Sequence, residues 1–576
     1  MMERLKRLLP SVVCLLVLLV NQGVGAVSAQ QPAGRNNRVR IYNSFGVQQD
    51  SNISTQGPSR VVTGPNSIVV IDDDDRRVRI YNTFGALQNG EIHTSSRADV
   101  IINGNLIPII EDSQVRIFTL FGFQQGAGIS TNSRADVVAM GNTFIVIEES
   151  RVRIFDLFGN PTGQTISTNS RARVTTGNTR FAVIEDERVR IYDLLGNLQG
   201  SAINTDGPAH VAANGNLFIV ADDTRLRFYT LFGNPQGSPI NTNGRAKIAL
   251  TTDRIVASDE TTVRILRGSD GGPVKDIATT GPSRVATTIT SIVVIDDNGR
   301  RVRIFDLSGQ PLRSAIDTNS RADVVVTVNN RLVIIEDNKV TIYDAFGSPQ
   351  GGVIGTNGRA DIATAVDKVF VVDNASLRIY SHFGLQQGAA IGTSGRASVI
   401  TTVASVGVAD DSRVRIYNHS GVQQGNTIST VGRVSLATAS DRIVVIDAQD
   451  EAPAGLTASN DGPTALGKAT TLMAHITAGT NVTYTWDFGD GSGGAGQVAT
   501  HTYQQVGDYT ATVTARNSAG TAIANTIVSV VADAPANNAQ FIAQSVPSKM
   551  ETGQTATVSI TMKNTGTTTW TAAGDY

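Results

Sequence analysis

Cysteine is almost missing from this sequence. The single cysteine, Cys14, lies within an apolar N-terminal run that is predicted to be removed, so the mature chain would contain no thiol. Disulfides, cysteine-ligated zinc and cysteine nucleophiles are therefore excluded from the mature protein. We expect its stability to come from the packing of β-strands alone.

Aromatic residues and lysine are also scarce. Aromatics make up 5% of the chain, and both tryptophans, Trp486 and Trp570, lie near its C-terminal end. Only eight of the 48 basic residues are lysine, and arginine is the cation that forms fixed, bidentate pairs with carboxylates. The net charge of −2 provides no overall field towards nucleic acid or an anionic membrane. We therefore predict no nucleic-acid partner.

The one long apolar run is at the N-terminus. Three basic residues among the first seven precede the apolar stretch 8–20, and residues 26–29 are small enough for cleavage. This pattern predicts a signal peptide over residues 1–29. An N-terminal membrane anchor is the alternative, although the run is short for a span of about 20 residues. We expect a secreted or cell-surface protein that is not inserted in the membrane after cleavage.

A repeat fills most of the chain before residue 452. Its clearest copy starts at residue 151 with Arg-Val-Arg-Ile-Phe-Asp-Leu-Phe-Gly. The central position of this signature recurs every 37 to 39 residues, which indicates eleven tandem units. The eleven central residues are Arg40, Arg79, Arg116, Arg153, Arg190, Arg227, Arg264, Arg303, Thr341, Arg378 and Arg415.

Each unit contains four candidate strands. The first, 151–156, alternates polar and apolar residues, which is typical of a strand with one buried face. A Phe-Gly turn and two short strands follow, and the fourth candidate, such as 332–335, is apolar at every position. A strand buried on both faces has this composition. Aromatics of the signature strand, such as Tyr42 and Phe155, recur with the period and are predicted to be packing residues.

Four short strands in about 37 residues match the size of a β-propeller blade. A β-solenoid is the rival interpretation. Because a single propeller typically has 4 to 8 blades, we predict two rings, over residues 35–262 with six units and 263–451 with five. The motif Gly-Pro-Ser-Arg at 57–60 recurs six units later at 281–284, and the irregular turn after Arg267 supports a break there. One large ring remains an alternative.

The repeat ends at a linker near residue 452, and a different pattern follows. Tyr-Thr-Trp-Asp-Phe-Gly-Asp-Gly-Ser at 484–492, His-Thr-Tyr at 501–503 and Gly-Asp-Tyr at 507–509 closely resemble the PKD (polycystic kidney disease) domain. The resemblance covers residues 454–533 and implies an Ig-like β-sandwich. The residues that carry the motif, with a predicted structural role, are Trp486, Asp487, Phe488, Gly489, Asp490, Gly491, Tyr503, Gly507 and Tyr509.

Residues 539–576 form a further segment. Its Val-Ser-Ile-Thr-Met run at 558–562 and Lys-Asn-Thr-Gly-Thr-Thr-Thr-Trp at 563–570 resemble the start of an Ig-like domain found in a selective-autophagy receptor family and in many bacterial surface proteins. About 38 residues are fewer than a sandwich needs to close two sheets. We predict a truncated Ig-like domain here.

Charged residues recur at two fixed places in the repeat. A carboxylate ends each apolar strand: Asp72, Glu111, Glu148, Glu185, Asp222, Asp259, Asp296, Glu336, Asp373, Asp410 and Asp447. An arginine precedes the third candidate strand of most sequence units: Arg97, Arg134, Arg171, Arg245, Arg321, Arg359, Arg396 and Arg433. These arginines are candidate residues of a ligand-binding rim. Because ligand sites usually break a repeat whereas contacts between blades must follow it, ion pairs between neighbouring blades are the favoured interpretation.

No known catalytic motif occurs in the chain. His-Glu-x-x-His, Gly-x-Ser-x-Gly and the sialidase Asp box are absent, and the six histidines are scattered. The aspartates 72–75 could attract calcium, but a solvated turn is favoured. We therefore predict no catalytic residues, no metal and no cofactor.

The predicted architecture is all-β, with propeller-like repeats followed by a PKD sandwich and a truncated Ig-like segment. We expect a non-catalytic extracellular scaffold that binds protein through its propeller and sandwich surfaces. Binding of a polysaccharide is the alternative, and a glycan-active hydrolase is less favoured. Absence of tryptophan from the repeats argues against the sugar-binding alternative.

Overall fold

The computed structural model describes residues 27–30, 37–296, 298, 300–395, 397–410, 412–432, 434–532, 538–566 and 568–571. The described residues contain strands and turns, with no helix among them. The chain divides into two compact units, residues 1–448 and 449–576, and each is described by itself. Among the described residues, no helix is long and apolar enough to cross a membrane.

The repeats fold into antiparallel sheets that we call blades 1 to 11, numbered in chain order of their first strands. Each sheet pairs its strands in the order first, second, third, fourth. The first strands are Ser59–Thr63, Asp99–Val100, Asp136–Met140, Arg173–Thr176, His210–Ala213, Lys247–Leu250, Ser283–Thr287, Asp323–Val326, Asp361–Ala365, Ser398–Thr401 and Ser435–Ala439. The second strands are Ser67–Asp72, Leu106–Ile110, Thr143–Ile147, Arg180–Ile184, Leu217–Ala221, Arg254–Ser258, Ser291–Asp296, Leu332–Ile335, Lys368–Val372, Ser405–Asp410 and Arg442–Ala448.

The signature sequence forms the third strand of each blade. The third strands are Arg77–Asn82, Gln114–Thr119, Arg151–Asp156, Arg188–Asp193, Arg225–Thr230, Thr262–Arg267, Arg301–Asp306, Lys339–Tyr343, Ser376–Ser381, Arg413–Asn418 and, for blade 11, Asn37–Tyr42. The fourth strands are Leu87–His93, Gln124–Ser130, Ile166–Ser167, Leu198–Asn204, Pro235–Asn241, Pro273–Ala278, Ile316–Asp317, Pro349–Gly355, Gln386–Gly392, Gln423–Ser429 and, for blade 11, Gln48–Ser54.

Burial follows the sequence pattern strand by strand. The apolar second strand is buried along nearly its whole length because its sheet has a neighbouring blade on each face. The fourth strand is mostly exposed and forms the outer edge. First strands of adjacent blades approach one another and line the inside of the ring. The predicted apolar inner strand is thus the second strand from the inside.

Apolar clusters join each blade to the next. In one of them, Ile145 and Val152 of blade 3 pack with Phe181 and Tyr192 of blade 4. Equivalent clusters occur at the other contacts between successive blades. The predicted packing aromatics Tyr42, Tyr81, Phe118, Phe155 and Tyr192 are all buried in this way, and Tyr229 is half-buried.

The ring closes through strands from both ends of the repeat region. The signature strand 37–42 pairs antiparallel with 442–448, Val39 opposite Ile446 and Ile41 opposite Val444. The same strand then packs on blade 1, where Val39 and Val444 share a cluster with Val61 and Ile68. The described residues 37–448 therefore form one closed ring of eleven blades.

The predicted division into two rings is wrong. Its boundary between residues 262 and 263 falls within the third strand of blade 6, Thr262–Arg267. Packing also continues into blade 7, since Val256 and Val263 share a cluster with Ile292 and Val294. The irregular turn after Arg267 is a local variation, in which Arg267 pairs with Asp270 at 3.0 Å.

A short additional strand lies at the inner edge of blade 1. Val27–Gln30 pairs antiparallel with Ser59–Thr63, with Val27 opposite Thr63 and Gln30 opposite Arg60. Most of the predicted signal peptide, residues 1–26, lies outside the described residues. Cleavage after Ala29 would remove three of the four residues of this strand.

The second unit contains a two-sheet sandwich over residues 457–531. One sheet holds Thr457–Asn460, Ala469–His475 and Val498–Thr502. The other holds, in spatial order, Thr464–Ala465, Thr521–Val531, Gly507–Arg516, Thr483–Asp487 and Gly493–Ala495. Trp486, Phe488, Ala511 and Val513 lie in the core between the sheets, as the sequence pattern predicts.

The predicted Ig-like segment is represented by one antiparallel pair. Ala539–Ser545 pairs with Ser559–Asn564, and both strands are exposed along their whole length. This part of the described chain buries none of its large apolar residues, such as Phe541 and Ile560. An isolated two-stranded pair is marginally stable at best.

Candidate functional site

A buried carboxylate at the end of each second strand organises one end of the ring. In blade 3, Glu148 receives hydrogen bonds from Arg151 at 2.9 Å and Arg153 at 2.7 Å. It also accepts the backbone N–H of Asn132 at 2.8 Å. Arg153 donates in addition to the backbone oxygen of Ser130, in the fourth strand of blade 2, at 2.6 Å. This arrangement, which we call the clasp, ties one blade to the preceding one.

The clasp recurs around the ring. Its eleven carboxylates, Asp72, Glu111, Glu148, Glu185, Asp222, Asp259, Asp296, Glu336, Asp373, Asp410 and Asp447, are all buried. The arginines that reach a carbonyl of the preceding blade's fourth strand are Arg40, Arg79, Arg116, Arg153, Arg190, Arg227, Arg303, Arg378 and Arg415. Blade 8 has Thr341 at this position, and its Glu336 pairs with Lys339 instead. The end of the ring that carries the clasps is called the clasp end below.

Ionisation of the clasp carboxylates is favoured despite their burial. Burial by itself raises the pKa of Glu148, but the hydrogen bonds from Arg151, the Asn132 N–H and Arg153 outweigh it and hold that pKa below its ordinary value. The pKa of Asp410 is lowered by the same balance, in which burial is outweighed by Arg413, the Ser394 N–H and Arg415. The carboxylates of these two clasps are thus charged and paired with groups of the chain itself.

The predicted rim arginines lie at the clasp end and pair with the preceding blade. Arg134 of blade 3 contacts Asp112 at 2.9 Å and Asp99 at 2.5 Å, both in blade 2. Four more arginines pair in the same direction: Arg97 with Asp73, Arg171 with Asp136 and Glu149, Arg245 with Asp223, and Arg359 with Asp323 and Asp337. The backbone oxygen of Arg321 accepts a hydrogen bond from Arg359. Arg396 and Arg433 lie outside the described residues. Arg97, Arg134, Arg171, Arg245 and Arg359 thus form ion pairs between blades, but with carboxylates other than those at the ends of the apolar strands.

Of the four aspartates 72–75, the last three lie in a turn with Asp74 exposed, whereas Asp72 is buried. Asp72 is a buried clasp carboxylate, 3.1 Å from Arg77. Asp73 pairs with Arg60 at 2.7 Å, and Asp75 also contacts Arg77. The described residues contain no group of three potential metal-ligating side chains.

A row of exposed phenylalanines lies at the opposite end of the ring. The turn between the third and fourth strands places an apolar residue at its tip, directly before a glycine, in eight of the eleven blades described. The exposed turn residues are Phe45, Phe84, Phe121, Phe158, Leu195, Phe232, Phe346 and Phe383. They occupy the six consecutive blades 11 to 5 and blades 8 and 9. This end is called the turn end below.

The glycine after each phenylalanine explains why the phenylalanine side chain is exposed. Gly233 has a φ of 75°, and a Cβ there would lie 2.1 Å from the backbone oxygen of Gln199 in the preceding blade. The glycine side of the turn therefore packs closely against the neighbour, and the preceding Phe232 projects into solvent. Sequence reasoning identified the Phe-Gly turn but not this exposure; the recurrence of an apolar residue at a turn tip was the available signal.

Three of these phenylalanine side chains are partly covered by an arginine side chain from the preceding blade. Arg442 lies 5.0 Å from the ring centre of Phe84. Arg180 and Arg331 lie at 5.4 Å and 5.3 Å from Phe232 and Phe383. Such contacts are attractive and hold the turns in fixed positions. The turn phenylalanines therefore form a rigid apolar surface.

The residues of the predicted PKD motif have structural roles. Asp487 accepts the N–H of Gly489, and Tyr503 donates to the backbone oxygen of Phe488 at 3.0 Å. Gly491 has a φ of 88° and Gly507 a φ of 150°, so both adopt conformations that favour glycine. Trp486 and Phe488 are buried in the sandwich core, with Tyr509 packed against it.

Asp490, Ser492 and His501 form the one polar cluster of the sandwich that resembles catalytic machinery. Asp490 and Ser492 both approach the same nitrogen of His501, at 2.6 Å and 3.3 Å. A catalytic triad needs the serine and the acid at different ring nitrogens. Hydrogen bonds from Ser492 and His501 lower the pKa of Asp490 to about 2. The hydrogen bonds of this cluster fix the turn that contains Asp490 and Ser492.

A search of curated proteins gave no match. Among solved structures, apo AztD from Citrobacter koseri is 12% identical, with 50% of this chain and 96% of AztD covered and a TM-score of 0.29. A eukaryotic initiation factor is 10% identical, covering 63% and 97% of the two chains with a TM-score of 0.39. Kluyveromyces lactis Hsv2p is 12% identical, covering 43% and 89%, with a TM-score of 0.28. Residues 455–530 match the PKD domain family, so this chain carries a PKD domain after its ring of eleven blades.

Proposed function

We propose that this protein is a non-catalytic extracellular binding scaffold, and that the turn end of its ring binds a protein partner. The observation that carries the proposal is the row of exposed apolar turn residues on six consecutive blades, phenylalanine on five and Leu195 on the sixth. Soluble proteins rarely expose so many large apolar residues in one region unless it is an interaction surface. PKD domains are typical of extracellular proteins, which supports the location.

Further apolar residues extend this surface around the ring. Ile289, Val328, Val366 and Val403 are exposed at the turns between first and second strands of blades 7 to 10. These turns lie at the same end as the phenylalanines. Protein interfaces are enriched in aromatic residues and arginine and depleted in lysine, and the arginines stacked on Phe84, Phe232 and Phe383 fit that composition.

Polysaccharide binding at the turn end is the second candidate, because exposed aromatic rings also stack on sugars. The single rings are spaced one per blade, and the repeats contain no tryptophan. This spacing fits a broad protein surface better than a sugar platform. The protein-binding proposal is therefore the one tested.

A capture experiment tests the proposal. The full chain is incubated with matrix proteins and with insoluble polysaccharides, with and without a calcium chelator. We expect saturable, chelator-insensitive retention on protein, and loss of that retention in the double variant Phe121→Ser/Phe158→Ser. The control variant Val498→Ser/Val506→Ser removes two exposed apolar residues of the sandwich and should bind normally. Retention on polysaccharide alone, or equal binding by both variants, would contradict the proposal.

A further inference from the structure

One position of the inner rim varies in charge from blade to blade. It is a residue near the start of each first strand, at the clasp end, and the sheet register pairs it with the residue just before the clasp carboxylate. In blade order this rim position holds Arg60, Asp99, Asp136, Arg173, His210, Lys247, Arg284, Asp323, Asp361, Ser398 and Ser435. Blades 4 to 6 carry basic residues in succession.

Where the rim position is aspartate, an arginine of the next blade neutralises it. Asp99 pairs with Arg134 at 2.5 Å, and Asp136 pairs with Arg171 at 2.9 Å. Asp323 pairs in the same way with Arg359. This ion pair occurs at the rim positions of blades 2, 3 and 8.

Blades 4 to 6 lack the aspartate of this pair, and the blades that follow blades 4 and 6 also lack the arginine. Arg173, His210 and Lys247 replace the aspartate, and proline replaces the following arginine at Pro208 and Pro282. All three basic side chains are exposed, and none has an ion pair with a described carboxylate. The basic residues of blades 1 and 7 differ, since Arg60 pairs with Asp99 and Arg284 with Asp323.

One contact within the sector brings two of its basic residues together. Arg173 donates to the backbone oxygen of Ala209 at 2.7 Å, which places its guanidinium beside His210. Burial of the imidazole and the positive charges of Arg173 and Arg245 lower the pKa of His210, so this residue offers an N–H donor rather than a charge at pH 7. The nearby carboxylates are occupied elsewhere: Asp223 pairs with Arg245 and Asp206 with Arg225.

The surrounding loops are polar. Loops 168–170, 205–207 and 242–244 read Thr-Asn-Ser, Thr-Asp-Gly and Thr-Asn-Gly. Within the described chain, no large apolar residue is exposed between residues 168 and 173, 205 and 211, or 242 and 248. Hydroxyl and amide groups beside a row of basic residues can hydrogen-bond the hydroxyls of a sugar polymer, whereas they offer no contact for the apolar side chains of a peptide.

We propose that Arg173, His210 and Lys247 bind the carboxylate or sulfate groups of an acidic polysaccharide along the inner rim of blades 4 to 6. One basic residue per blade provides a row of donors for a polymer with repeated oxyanions. Loss of repeat symmetry is what separates this row from the structural ion pairs elsewhere on the rim. The site lies at the clasp end, so it is independent of the phenylalanine surface at the turn end.

Calorimetric titration of the full chain tests this site. The probes are polygalacturonate for carboxylate, dextran sulfate for sulfate, and neutral dextran. We expect binding of at least one acidic polymer, weakened by added salt because exposed charges are screened, and no binding of dextran. Absence of binding to both acidic polymers, or equal binding of dextran, would overturn the proposal.

Two double variants locate the binding. Arg173→Gln/Lys247→Gln should lower the affinity roughly tenfold, the combined effect of two exposed charge contacts. Lys468→Gln/Lys549→Gln makes the same change in net charge on exposed residues of the second unit and should bind normally. Lys247→Arg keeps the charge and should keep the affinity, while thermal unfolding confirms that each variant is folded. An equal loss in the second-unit variant would refute the site.

A peptide polyanion distinguishes the class of ligand. Poly-glutamate should bind the ring more weakly than polygalacturonate, because the polar loops offer sugar hydroxyls partners that the peptide lacks. Equal or tighter binding of poly-glutamate would overturn the assignment to polysaccharide. The Phe121→Ser/Phe158→Ser variant should bind polygalacturonate as the unchanged protein does, which separates this test from that of the turn end.

Discussion

A buried carboxylate is stabilising only when its charge is fully compensated. Glu148 lies within the ring with 1% of its side chain exposed, next to Arg151 and Arg153. Removing one partner from such a group is costly because the remaining charge stays buried. Arg153 has a second role, since its other bond crosses to Ser130 of the preceding blade.

Replacing Arg153 by threonine tests the clasp at one blade. Threonine is the residue of blade 8 at this position, Thr341, so the ring accommodates it sterically. We expect Arg153→Thr to lower the free energy of unfolding by about 2 kcal/mol, through loss of a charge-assisted pair and of the bond between blades. Urea denaturation measures the change. The reciprocal variant Thr341→Arg should stabilise the ring, and a loss of stability there would contradict this account.

Asp490 gives the sandwich a predicted acid dependence. Its pKa is lowered to about 2 from an ordinary value of 3.8 by the hydrogen bonds from Ser492 and His501. A lowered pKa contributes stability that is present above the ordinary value and is lost as the pH falls through the folded value. We expect Asp490→Asn to destabilise the sandwich at pH 7 and to match the unchanged protein near pH 2. Trp486 fluorescence in a Trp570→Phe background reports this unfolding, and a constant difference between pH 7 and pH 2 would contradict the prediction.

Strand pairing between the chain ends is the main feature at the scale of elements. Each sequence repeat starts at the signature strand, which is the third strand of a blade. The first and second strands of the next blade follow later in the same repeat, so each repeat spans two blades. The first signature strand, 37–42, is therefore left without a sheet of its own and completes blade 11 with 442–448. This half-blade offset closes the ring with strands rather than with a loop.

Deleting residues 37–54 should open the ring. Blade 11 would keep its first and second strands only, and the edge of strand 442–448 would be exposed to pairing with other molecules. We expect a lower melting temperature and concentration-dependent association in size-exclusion chromatography. Deletion of residues 539–571, which lie in the second unit, is the control and should leave unfolding of the ring unchanged. A monomeric deletion variant with an unchanged melting temperature would show that the closing strands are dispensable.

At the scale of the whole molecule, the stability of the ring depends on many carboxylates in equivalent positions. The pKa is lowered in the clasps of Glu111, Glu148, Glu185, Asp222, Asp259, Asp373 and Asp410, where hydrogen bonds and ion pairs outweigh burial. Each contributes stability above its ordinary pKa of 4.5 or 3.8 and loses it as the pH falls through the folded value. The clasps act together because they belong to one closed ring.

Acid should therefore unfold the ring steeply. We expect its melting temperature to be nearly constant from pH 7 to about pH 5 and to fall sharply below that. Differential scanning calorimetry across this range measures the effect. A Glu148→Gln variant, which removes one titrating clasp, should be less stable at neutral pH and should show a smaller drop in acid. A melting temperature that rises as the pH falls would contradict the assignment of the clasps.

The sequence by itself determined the number of repeats, the class of each strand, the recurrence of charged residues at fixed places and the PKD domain, but not which arginine pairs with which carboxylate. These features are local: alternation of Val152 and Ile154 fixes a buried face, and residues such as Trp486 and Phe488 define a motif within a few positions. The functional surfaces were only partly predictable. Phe158 was identified in a turn, but its exposure depends on the neighbouring blade against which Gly159 packs, and Arg173 was not distinguished from other basic residues.

Closure into one ring was decided only by the tertiary structure. A periodic sequence looks the same from every unit, so it does not state which strand pairs across the chain ends or how many blades share one axis. The second appearance of Gly-Pro-Ser-Arg at 281–284 suggested a boundary, yet Val263 and Ile292 pack across it as in every other pair of blades. The pairing of residues 37–42 with 442–448 joins segments about 400 residues apart, and only packing of all eleven blades brings them together.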